Sequence, residues 1–119
     1  MRPIKFRAWD KENGVMMTEV SLYFSNGVWS DEKIEIMQFT GLLDKNEKEI
    51  YEGDIVEDKS SNYGLQIVVW NNRFASYGQT WPKGFTGSLN EDHYPFAANN
   101  WSLVEVIGNI YENPTLLEK

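Results

Sequence analysis

The chain is expected to fold as a mainly β domain with few and short helices. Three observations point there. Apolar and polar residues alternate with a period of two in several segments, Asn-Gly pairs separate the runs, and no segment keeps helical periodicity beyond two turns. An α+β arrangement stays open within this class. Many short strands at this spacing suit a small barrel or an open curled sheet.

The elements follow in order. Ile4, Phe6 and Ala8 alternate with Lys5, Arg7 and Trp9, which predicts a half-buried strand. Asn13-Gly14 suits a tight hairpin turn into a run from Val15 to Phe24. Ser25-Asn26-Gly27 is a second hairpin signal, with Val28-Trp29 returning. Ile34, Ile36 and Gln38 alternate with Glu35, Met37 and Phe39, a further strand before Gly41, although a short helix over Asp31 to Met37 fits as well.

A charged turn spans residues 44–48, and Glu49 to Gly53 is expected to form one helical or 3₁₀ turn closed by glycine. Asp54 to Asp58 opens a strand. Leu65 to Trp70 is the most apolar strand, with Ile67, Val68 and Val69 β-branched. Asn71-Asn72 can turn it into a strand from Arg73 to Tyr77. Residues 78–100, rich in Gly, Pro, Asn and aromatics, predict a long loop. Leu103 to Tyr111 reads as a last strand with a bulge or corner at Gly108, and Asn113-Pro114 ends it before a frayed turn over 115–119.

Composition bounds the function. The 119 residues fit one domain, 1–119, with an N-terminal strand and hairpin portion (1–43) and a barrel portion (44–119). With 11 bases and 18 acids, 11 − 18 gives −7, which argues against general binding to nucleic-acid backbone and to anionic membranes. The absence of cysteine excludes disulfides, thiolate metal sites and a thiol nucleophile. No apolar stretch follows the basic start and none is long enough to span a bilayer, so a cytoplasmic protein is expected.

Catalytic signatures are thin. His93, the only histidine, stands in Asn90-Glu91-Asp92-His93-Tyr94, where it could serve as a base or one metal ligand. No second histidine completes a zinc site, so a surface-loop histidine is the plainer account. Asp44, Asn46 and Lys48 echo the start of a calcium loop, but lysine takes a ligand position and Glu49 replaces the required glycine. Glu52 and Asp54 could hold magnesium, but Gly53 lies between them within a turn, and Asp54 is better read as capping or bracing that turn. No catalytic residue, metal or cofactor is assigned.

The charge is unevenly spread. From Asp44 to Asp58, seven acids oppose two bases, giving −5; Glu47, Glu49, Glu52, Glu57 and Asp58 would form an acidic strip for a basic protein partner, unless they are simply a solvated face. From Lys59 to Asn90, three bases and no acid give +3. There Arg73, Phe74, Tyr77, Trp81, Lys83 and Phe85 interleave bases with aromatics, as surfaces that stack single-stranded bases do, unless the aromatics fill the core. That core is expected to draw on Ile4, Phe6, Phe39, Ile55, Val56, Ile67, Val69, Val106 and Ile110.

Three segments carry a resemblance. They are Ile4-Lys5-Phe6-Arg7-Ala8-Trp9-Asp10; Gln38 to Asn46, running on through Glu49-Ile50-Tyr51-Glu52-Gly53-Asp54-Ile55-Val56; and Glu105-Val106-Ile107-Gly108-Asn109-Ile110-Tyr111-Glu112-Asn113-Pro114. In this order they resemble the YopX family of bacteriophage and prophage proteins. The resemblance implies a phage or prophage gene expressed in the host cytoplasm, and a mainly β or α+β fold whose C-terminal part is an SH3-like barrel. It supplies no activity and no functional residues. Family members usually show Asn-Gly where this chain has Asn46-Glu47, so Asn46 is expected to take the left-handed conformation.

The leading functional reading is a non-enzymatic phage accessory protein that binds a protein partner. A single-stranded nucleic-acid binder is the alternative, and a metal-dependent hydrolase or nuclease using Glu91, Asp92 and His93 ranks below both. No cofactor and no membrane partner are expected. Exposed strand edges leave a homo-oligomer open.

Overall fold

A computed structural model describes residues 4–18, 34–59, 64–71, 76–82, 89–91 and 103–118, and the fold is mainly β. Nine strands are described: β1 (Phe6–Asp10), β2 (Val15–Met17), β3 (Ile34–Leu43), β4 (Glu49–Tyr51), β5 (Asp54–Glu57), β6 (Leu65–Asn71), β7 (Ser76–Thr80), β8 (Asn90–Glu91) and β9 (Glu105–Asn109). They form a four-stranded sheet in the order β2-β1-β3-β4 and a curled five-stranded sheet, β7-β6-β5-β9 with β8 beside β6. Pairing is antiparallel except for β8, which runs parallel to β6. Pro114–Leu117 forms a 3₁₀ turn, and no helix among the described residues is long and apolar enough to cross a membrane.

The alternation at the start of the chain does form β1, but its hairpin is looser than a two-residue Asn-Gly turn. Four residues, 11–14, connect Asp10 to Val15, its partner in the register. The Asp10 carboxylate accepts the amides of Glu12 (3.0 Å) and Asn13 (3.1 Å), and Gly14 takes the left-handed conformation at φ 65°. Of the run to Phe24 only β2 and Thr18 are described; the second hairpin signal at residues 25–29 lies outside the described residues.

β3 excludes the helix alternative over its part of that segment. It is long enough to serve two partners, pairing β1 through Ile34–Gln38 and β4 through Phe39–Leu43. β4 is a correction: Glu49 to Tyr51 form a strand, not a helical turn. The glycine signal was real but marks the turn after it, where Gly53 sits at φ 85°.

The apolar run of β6 is continuous because both of its faces are covered, with Gln66, Ile67, Val68 and Val69 all buried. Val56, Val68, Val104 and Val106 pack with Ile50. Ile55 pairs with Ile67, and both are fully buried. Phe39, Ile55, Val56, Ile67, Val69 and Val106 are core as expected. Ile4 is not: at 75% exposure it stands in solvent ahead of β1, beyond the last residue that β3 covers through strand pairing. Phe6 and Ile110 are half-buried.

Two further boundaries moved. β7 begins at Ser76 and runs on to Thr80, because five register pairs with β6 extend it past Tyr77. The expected loop over 78–100 is therefore strand at 78–80 and again at Asn90–Glu91; residues 83–88 and 92–100 lie outside the described residues. Gly108 does mark a bulge. Ile55 pairs with Gly108 and Val56 with Val106, leaving Ile107 as the extra residue.

Candidate functional site

The two sheets meet at a seam built from the turn Glu52-Gly53 between β4 and β5. Strand alternation puts Arg7 and Trp9 on the face of β1 opposite Phe6 and Ala8. From there Arg7 crosses to the second sheet. Its Nη2 donates to Asp54 Oδ1 at 2.7 Å and to the Glu52 carbonyl at 3.2 Å, and its guanidinium lies 4.7 Å from the Tyr51 ring centroid. The other Asp54 oxygen accepts the Tyr51 amide at 2.8 Å. That choice leaves Arg7 Nε buried without an acceptor among the described residues, where a two-bond pairing would have used it.

Glu52 faces the same guanidinium from the first sheet's side. Its Oε1 accepts the Gln38 amide at 2.6 Å. Burial pushes the Glu52 carboxyl above its ordinary value, with the Gln38 amide and the Arg7 charge opposing. Asp54 is also raised by burial, against Arg7 and the Tyr51 amide. Gly53 completes the turn: its amide donates to the Val68 carbonyl at 2.9 Å and its carbonyl accepts the Ile110 amide at 3.0 Å. Trp9 stacks on Tyr111 with centroids 5.9 Å apart, and burial, with Glu35 and Glu52, pushes the Tyr111 hydroxyl up to about 12.

Beside the seam runs an open groove of about 940 Å³. One wall is Ile4 and Lys5 with the start of β1, Phe6 and Arg7; another is Lys48 and β4 with Glu49 and Tyr51, and the third is β9 with the turn that follows it. Lys5 and Glu49 form an exposed ion pair across it, whereas Arg7 and Asp54 pair at its buried end, with side-chain exposures of 12% and 2%. The groove thus offers an aromatic ring, aliphatic surface at Ile4 and both signs of charge.

The β9 edge that borders this groove is capped by side chains. The buried carboxylate of Asp44 accepts the amides of Val106 (2.9 Å), Lys48 (2.9 Å) and Asn46 (2.7 Å), and Lys45 N–H donates to the Val104 carbonyl at 2.9 Å. At the other end Asn113 Oδ1 accepts the Asn109 amide at 3.1 Å. Asp44 is buried, which alone would raise its carboxyl, but its three amide donors outweigh that and hold it below the ordinary value. The outward donors of Val106 and Asn109 are already taken, so a ligand here meets side chains and not an open strand ladder.

The expected site residues fall elsewhere. Tyr77 is half-buried with its ring edge against Trp70, centroids 5.0 Å apart, and Trp81 is 39% exposed at the end of β7. Arg73, Phe74, Lys83 and Phe85 lie outside the described residues, as do Asp92 and His93. The acids of the central strip are dispersed in role. Glu52 turns into the seam, Glu49 pairs with Lys5, Glu47 is exposed in a turn, and Glu57 and Asp58 stand half-exposed at the end of β5. No group of three His, Asp or Glu among the described residues could hold a metal ion. Sequence reasoning missed Arg7, Lys48 and Tyr51; the signal was an arginine on an alternating strand, sharing a face with a tryptophan.

All three sequence segments that carry the family resemblance converge on this seam and groove: Arg7 and Trp9 from the first, Glu52 to Asp54 from the second, and Asn109 to Asn113 from the third. The family model described as YopX protein matches residues 25–118. The chain belongs to the YopX family. Its structure is also similar to the crystal structure of protein EF1440 from Enterococcus faecalis, with a TM-score of 0.66, 24% identity, 98% of this chain covered and 99% of that one. That likeness shows a shared fold across the whole chain. No curated protein matches it.

Proposed function

We propose that this YopX protein is a non-enzymatic phage or prophage accessory module of the host cytoplasm that binds a protein partner, and that the groove beside the seam takes a peptide segment of it. The observation that carries this reading is the groove's chemistry. An aromatic ring, an exposed isoleucine, paired charges and the exposed Lys48 share one open channel, the mixed lining that side-chain recognition of a peptide requires. The capped β9 edge makes that recognition one of side chains.

Selection of a random peptide library on the immobilised full chain tests it. Enriched peptides should bind in the micromolar range, and Ile4→Glu and Lys48→Glu should each weaken them about tenfold or more, a loss of about 1.4 kcal/mol or more. Both positions are exposed, so both variants should fold, with Ile4→Glu melting like the parent and Lys48→Glu somewhat lower because it loses the charge that acts on Asp44 and Asp54. Peptides whose affinity ignores both substitutions would place the binding surface elsewhere.

A second reading, single-stranded nucleic-acid binding, is favoured by the exposed Trp81 just past the end of β7. Quenching of tryptophan fluorescence by oligo-dT that weakens steeply with salt would support it. No quenching at low salt would remove it.

A further inference from the structure

The seam holds more negative charge than its one cation balances. Arg7 is its only guanidinium, and two carboxylates face it, Asp54 within the pair and Glu52 across the turn. Asp54 has both oxygens committed, one to Arg7 and one to the Tyr51 amide. Glu52 has one oxygen on the Gln38 amide, and its Oε2 has no hydrogen bond among the described residues. Two acids against one base in a half-desolvated site leave one charge in excess, and burial penalises that charge.

We propose that Glu52 is a proton-uptake site that tightens the seam between the two sheets under mild acid. One proton from solvent adds to Glu52 Oε2, and no existing bond breaks: Oε1 still accepts the Gln38 amide, and Arg7 remains paired with Asp54. The excess charge disappears and the grip of β1 and β3 on the turn is kept. The groups that act with Glu52 are Arg7 from β1 and Tyr111 from the turn after β9; Asp54 shares Arg7, Glu35 from β3 acts on Tyr111, and Lys48 acts on Asp54 from the approach to β4. Glu35 is itself balanced by Lys11 at 2.9 Å.

The sign is opposite to that of most carboxylates. An acid raised by folding binds its proton more tightly in the native state, so stability rises as pH falls from neutral towards the ordinary glutamate value of 4.5. Asp44, which is lowered, reverses the trend only below the ordinary aspartate value of 3.8.

Thermal melts of the full chain between pH 7.5 and 5 test the proposal. The midpoint of the parent should rise by about 3 °C on acidification, and Glu52→Gln, which mimics the protonated side chain, should raise the neutral midpoint by a similar amount and flatten the profile. A parent profile that is flat or falls over this range overturns the proposal. So does a rise that is undiminished in Glu52→Gln, which would assign the proton to Asp54, the other seam carboxyl that folding raises. Should that variant fail to fold, the carboxyl carbon of Glu52 in the ¹³C-labelled parent decides by NMR: a midpoint above 4.5 supports the assignment, and one at or below it overturns it.

Discussion

Glu47 occupies the left-handed conformation, at φ 65°, in the turn where Asn46 was expected to. The turn places this demand one residue later, because the Asp44 carboxylate accepts the amides of Asn46 and Lys48 and fixes the chain between them. A non-glycine residue in this conformation costs about 1 kcal/mol. Glu47→Gly should relieve that strain, less the greater freedom glycine gains when unfolded, for a net gain of about 0.5 kcal/mol and a midpoint about 2 °C higher. Asp44 shows the reverse case. Asp44→Ala strands three amides, those of Asn46 and Lys48 in the turn and that of Val106 across on β9, and should cost about 3 kcal/mol in urea unfolding. Because folding lowers this carboxyl, its contribution is present above the ordinary aspartate value of 3.8 and is lost as pH falls through its folded value. The Asp44→Ala penalty should therefore shrink in acid.

Among the elements, β9 shows how a bulge and a turn depend on one another. A Cβ on Gly108 would come within 2.6 Å of Asn113 Oδ1, the atom that caps the Asn109 amide. Gly108→Ala should push Asn113 off that amide and cost about 2 kcal/mol, read as a lower urea midpoint with an unchanged slope. The bulge was legible from a glycine inside an alternating strand. Its partner was not, since nothing in Asn109-Ile110-Tyr111-Glu112-Asn113 announces which side chain folds back on the strand. The same limit explains β4. Three residues carry too little periodicity to separate strand from helical turn, and only pairing with β3 decides it.

For the whole molecule, the Arg7–Asp54 pair joins the sheets at a buried point, in contrast to the exposed Lys5–Glu49 pair. Breaking a buried pair strands a charge, whereas an exposed pair contributes little. Arg7→Met should cost about 3 kcal/mol at neutral pH, while Lys5→Met should stay within about 0.5 kcal/mol. The Arg7→Met penalty should diminish in acid. Asp54 is already raised by burial, and without its cation it takes a proton more readily, so the stranded charge is removed as pH falls. Denaturant titrations at pH 7 and pH 5 on both variants check the contrast.

The sequence by itself determined the fold class, the main strands, most of the core and the family. These rest on local signals: alternation, β-branched runs, turn residues and three ordered segments. It also identified Asp54 as the brace of a turn. Only the tertiary structure decided what that brace holds, and that Glu52 turns inward beside it. Arg7 and Asp54 are far apart in the chain, and a charge on an alternating strand looks the same whether it meets solvent or another sheet. The packing of one sheet on the other fixes which face is inward. From that follow the buried pair, the groove and the surplus carboxylate at the seam.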